Sequence, residues 1–128
     1  MRISMKQQPF SIHARLRSFR YAWEGITAFL QREHNAWIHF MATIVVVTLA
    51  ALVKLTKGEL LALVFVIGLV WVTEMLNTCI ERIMDHVSPQ QHPDVKFIKD
   101  LAAGAVLVAA VTALVTAGIV FIPKLFQA

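Results

Sequence analysis

Apolar residues recur every three or four positions near the start of the chain, at Ile12, Leu16, Phe19, Trp23, Ile26 and Leu30, with Arg15, Arg17, Arg20 and Glu24 between them. This spacing predicts an amphipathic helix over residues 12–33, basic and aromatic, of the kind that lies in a bilayer interface with its arginines toward phosphates. Three nearly unbroken apolar runs follow, over residues 38–55, 60–80 and 101–121. Each reaches about the 18 to 20 residues that a membrane-spanning helix needs. Residues 1–11 contain Pro9 and no sustained pattern, and read as a loose leader. Lys54 to Glu59 reads as a brief turn, and Arg82 to Asp100 as the longest polar connection, where Pro89 and Pro93 disfavour helix. The pattern predicts an all-α membrane protein in one domain, residues 1–128, with an amino-terminal surface helix and three transmembrane helices.

Composition strengthens that reading. Of 128 residues, 58% are hydrophobic, and the mean hydropathy is +0.67, well above what a soluble globular chain carries. The net charge of +4 comes mostly from basic residues before and between the apolar runs, which suits anionic lipid head groups as the partner and not nucleic acid. Cys79 is the sole cysteine and can form no internal disulfide. With a cytoplasmic amino terminus, nine of the twelve lysines and arginines fall on the inner side: Arg2, Lys6, Arg15, Arg17, Arg20, Arg32, Arg82, Lys96 and Lys99. The excess of basic residues on cytoplasmic loops therefore orients the chain in the cell inner membrane, with its amino terminus in the cytoplasm.

Candidate chemistry lies where polar residues interrupt the second span. At 100° per residue, Asn77 stands about 300° and Glu81 about −20° from Glu74, so the three share one stripe of a helix. Carboxylates beside lipid persist by facing a bundle interior, a cation or a polar cavity. Glu33, before the first span, and the pair Lys99-Asp100, before the third, fall on the same membrane side. Magnesium takes oxygen ligands, usually one or two carboxylates with substrate phosphates and water, and Glu33 and Glu81 offer these. Glu74 lies about 10.5 Å along the helix from Glu81, which suits it to act as a general base on a hydroxyl while Glu81 holds metal and phosphate. Lys99 is placed to neutralise charge on a transferring phosphoryl group. A small cation channel or transporter, with Glu74 as its ion site, is the alternative, and a non-catalytic assembly subunit is another. Walker and kinase-type glycine loops are absent from the sequence. The histidines His34, His39, His86 and His92 lack the usual zinc-ligand spacing with cysteine.

The run Glu74-Met75-Leu76-Asn77-Thr78-Cys79-Ile80-Glu81 and the later Lys99-Asp100-Leu101-Ala102-Ala103-Gly104 resemble the small prokaryotic integral-membrane diacylglycerol kinase family, which includes the undecaprenol kinases. The resemblance extends from about Leu16 to Gly118. It implies a homotrimer of three-span subunits with composite active sites, using ATP and magnesium to phosphorylate a membrane lipid alcohol, undecaprenol or diacylglycerol, at the cytoplasmic interface. It places the general base at Glu74, the metal-binding carboxylates at Glu33 and Glu81, and nucleotide contacts at Tyr21, Glu33, Asn77, Glu81, His92, Lys99 and Asp100. Glu74 and Ala103 fall at lipid-substrate positions. Asn35 and His39 look more like the undecaprenol kinase branch, and Ala103 stands where the diacylglycerol branch can place a serine. An arginine expected in the surface helix has no match in register, though Arg15 and Arg17 are close.

Overall fold

A computed structural model describes residues 9–127. Most of the leader, with Arg2 and Lys6, lies outside them. The chain is all helical, α1 (Ile12–Arg32), α2 (His34–Leu52), α3 (Lys57–Val87) and α4 (Pro93–Leu125). It divides into two compact units, the first ending at His34 and the second beginning at Asn35.

In the first unit, the Ser11 side chain caps α1 by accepting from the Ala14 N–H at 3.3 Å, satisfying a donor that the first helical turn cannot pair internally. At the other end Glu33 turns to extended backbone, its N–H bonded to the Phe29 carbonyl at 3.0 Å. The apolar residues Ile12, Leu16, Phe19 and Trp23 are exposed along α1.

In the second unit, α2, α3 and α4 are each long and apolar enough to cross a membrane, and the chain is a multi-pass membrane protein. At 1.5 Å per residue, α2 is about 28 Å long, α3 about 46 Å and α4 about 50 Å, against a hydrocarbon core of about 30 Å. Both long helices therefore outrun the membrane. The segment expected to be a polar connection from Arg82 to Asp100 is mostly helix: α3 continues to Val87 and α4 begins at Pro93. Local chemistry explains the difference. Proline is favoured in the first helical turn, where its missing N–H costs nothing, and His92 caps α4 by accepting from the Asp94 N–H through Nδ1 at 3.2 Å. Likewise α3 starts within the expected turn, because Thr56 and Glu59 form a reciprocal capping box, at 2.8 Å and 3.2 Å.

Helices α3 and α4 form an antiparallel hairpin pinned at both ends. Lys124 meets Glu59 at 3.1 Å at one end, and Lys99 meets Asp85 at 2.8 Å at the other. That register sets Ala109 level with Glu74 and Ala102 level with Glu81, and both alanines are buried, as close helix approach in a membrane requires. The apolar core, Leu63 with Val120 and Phe121 and flanked by Val46, Ala50 and Val53 of the α2 end, sits at the Lys124 end, away from the carboxylates. Leucine at position 109 should overpack the hairpin and destabilise it by about 1–3 kcal/mol in an SDS-unfolding titration. The same change at exposed Ala105 should stay within about 0.5 kcal/mol.

Candidate active site

The stripe on α3 holds two buried polar residues among the described residues, Glu74, only 3% exposed, and Asn77, 7% exposed. Glu81, one turn above Asn77, is half-buried and accepts from Asn77 Nδ2 at 3.4 Å. Asn77 Oδ1 is buried with no hydrogen-bond partner. An orphaned acceptor of this kind costs about 1–3 kcal/mol, so it marks a place where a ligand would be welcome.

Glu74 is met from α2. His39 Nε2 stands 3.5 Å from Glu74 Oε2, with the two side chains 18% and 4% exposed. One turn deeper, Trp71 Nε1 donates to Thr43 Oγ1 at 2.9 Å, and Thr43 Oγ1 donates to the His39 carbonyl at 2.7 Å. Sequence reasoning weighed His39 as a zinc ligand and as a mark of the undecaprenol kinase branch, but not as a partner of Glu74, and it gave no role to Thr43 or Trp71. The available signal was that His39 and Thr43 are four apart in an otherwise apolar run, and so share a face.

Beyond the membrane, the ends of α3 and α4 carry a second group of charges. Lys99 pairs with Asp85, and that hydrogen bond is the main reason its ammonium is held above the usual lysine value; burial opposes the rise, and the charges of Asp85 and Glu81 add to it. Lys96 pairs with Asp100 one turn on. A cavity of about 610 Å³ opens between the helix ends and the 88–92 loop, with Asp85, His92, Lys96, Lys99 and Asp100 in its wall. Lys96 was not expected here, because its i,i+4 relation to Asp100 exists only if that stretch is helical. Thus Glu74, Asn77 and Glu81 are brought onto one line, and His92, Lys99 and Asp100 around one cavity. Ala103 is exposed on α4. Tyr21 and Glu33 belong to the first unit, where Tyr21 lies exposed on α1 under the Arg20 guanidinium, 5.5 Å from its ring.

Among the described residues no three histidine, cysteine, aspartate or glutamate side chains converge as a metal-binding group. The arrangement instead combines a recessed carboxylate, a half-buried carboxylate beside an orphaned amide oxygen, and two lysines at a polar opening. It can accept a proton below and hold a polyanion above.

Comparison with known proteins places the chain among lipid kinases by sequence. A diacylglycerol kinase of Synechocystis sp. is 38% identical over 111 residues, 86% of this chain, and the aligned part spans 63% of that relative's length. An undecaprenol kinase of Bacillus subtilis is 37% identical over 109 residues, 85% of this chain and 89% of the relative. A diacylglycerol kinase of Pseudomonas aeruginosa is 32% identical over 101 residues, 79% of this chain and 76% of the relative. The profile of the prokaryotic diacylglycerol kinases matches residues 20–121, across the whole of α2 and α3 and most of α4, and the chain belongs to that family.

Proposed function

We propose that this protein is an ATP- and magnesium-dependent lipid kinase of the inner membrane, phosphorylating the hydroxyl of undecaprenol, with diacylglycerol as the second candidate. The observation that carries the proposal is the vertical order on one helix pair: buried Glu74 within the span, Asn77 and Glu81 at its rim, and the lysine-lined cavity above. A lipid hydroxyl comes from the membrane and a nucleotide from the cytoplasm, so a kinase joining them needs its base and its phosphate site stacked in this sense. The family relationship and the kinase names of the relatives support the reading. The resemblance of Asn35 and His39 to the undecaprenol kinase branch is what ranks undecaprenol first.

In the proposed reaction Glu74 takes the hydroxyl proton as the alcohol oxygen bonds to the γ-phosphorus. The bond from that phosphorus to the bridging oxygen breaks, and ADP leaves with the electron pair. Lys99 steadies the charge on the phosphoryl oxygens, an electrostatic role that dominates phosphoryl transfer. His92 and Asp100 line the nucleotide side, and Tyr21 is a nucleotide contact that the family resemblance implies. Magnesium fits the donor set, since Asn77 Oδ1 and the Glu81 carboxylate are hard oxygen donors one turn apart. Glu81 would hold it, with Glu33 as the second carboxylate that the family resemblance implies, and when bound it would offset phosphate charge. The exposed apolar residues of α1 suit a helix resting among anionic head groups. A homotrimer with sites shared between subunits, amino termini in the cytoplasm, completes the proposal.

Transfer of labelled phosphate from ATP to each lipid alcohol in mixed micelles tests it. Glu74→Gln should lower kcat by about 10²–10⁴-fold with little change in KM for ATP, and wild-type turnover in that variant would refute the assigned base. Glu81→Gln should raise the magnesium concentration needed for half-maximal rate. Lys99→Met should raise KM for ATP by about tenfold or more while lowering the SDS-unfolding midpoint only slightly, because its ion pair is partly solvent-exposed. A cation channel would instead show no saturable ATP binding.

A further inference from the structure

We infer that His39 is the positioning residue for the base: its Nε2–H holds Glu74 Oε2, so that Oε1 is the oxygen that receives the lipid hydroxyl's proton. The inference rests on the kinase reading and deepens it. Glu74 is almost wholly buried on an apolar helix, and His39 supplies the polar group beside it, 3.5 Å away. That separation is long for a hydrogen bond, as resting catalytic contacts often are before substrate tightens them. His39 is itself fixed. Its carbonyl accepts from Thr43, which in turn accepts from Trp71 of α3, so the turn carrying the imidazole is tied to the helix carrying the carboxylate. On the α4 side the residue level with Glu74 is Ala109, whose methyl group offers no hydrogen bond. Among the described residues, the ion-pair contact that reaches the Glu74 carboxylate comes from α2.

Such a carboxylate has two inequivalent oxygens. With Oε2 engaged by an N–H that stays in place, the proton released as the phosphorus–oxygen bond forms goes to Oε1, and Glu74 becomes a neutral acid still anchored through Oε2. Without the imidazole the carboxyl group can turn away from the hydroxyl, and small misplacements of a reacting group cost up to about 10²-fold in rate.

The test compares His39→Leu with His39→Gln in the full-length protein in mixed micelles, alongside the ¹⁵N resonances of His39 in wild type and in Glu74→Gln. Glutamine can present an amide N–H near the place of Nε2; leucine cannot. The expected result is a kcat about 10- to 100-fold lower for His39→Leu, with KM for ATP unchanged, recovery to within about threefold of wild type in His39→Gln, and a shifted Nε2 resonance when Glu74 becomes glutamine. If the leucine variant keeps wild-type kcat, if glutamine fares no better than leucine, or if the Nε2 resonance ignores Glu74→Gln, the inference is overturned. A wild-type protein that phosphorylates no lipid alcohol overturns the kinase reading instead. The two failures are distinguishable because the resonance requires no turnover.

Discussion

A carboxylate inside an apolar helix bundle must be met by another polar group, and the meeting of Glu74 with His39 is the constraint around which the second unit is arranged. It requires α2 to bring a polar face to α3 at one particular height, and the Trp71–Thr43 bond one turn deeper sets that height. Lipid provides no hydrophobic drive for helices to associate, so association falls to packing and to polar contacts of this kind. The α2–α3 contact at this level is made by long side chains, the α3–α4 contact by alanines.

That contrast explains why the site lies where it does. Small residues level with Glu74 and Glu81 let α4 approach closely, while the large aliphatic and aromatic core is confined to the opposite end of the spans. The polar end is left with half-buried groups, an orphaned amide oxygen and an opening between helix ends. These features are costly for stability and useful for binding, and they are gathered at one end of the hairpin.

The hydrophobic pattern made the helices legible, since runs of 18 or more apolar residues leave few alternatives. Helical periodicity also put Glu74, Asn77 and Glu81 on one stripe. What escaped the sequence was of two kinds. The helical ends from Arg82 to Val87 and from Pro93 to Asp100 looked like loop because polarity resembles loop composition, whereas capping by His92 and proline in the first turn decides the matter locally. The His39–Glu74 and Trp71–Thr43 contacts join residues 35 and 28 positions apart, and no one-dimensional period reports which faces of two helices meet.

The overlong hairpin has a mechanical consequence. Since α3 and α4 are rigid rods longer than the hydrocarbon layer, the depth of Glu74 and Glu81 is set by where the bilayer grips those rods. Lipids with longer acyl tails would draw the rim carboxylate toward the oil, and shorter ones would lift it into water, at a modest energetic penalty per ångström. Membrane thickness thereby becomes a variable of the site, which ties the local dielectric at these carboxylates to the lipid composition of the host membrane.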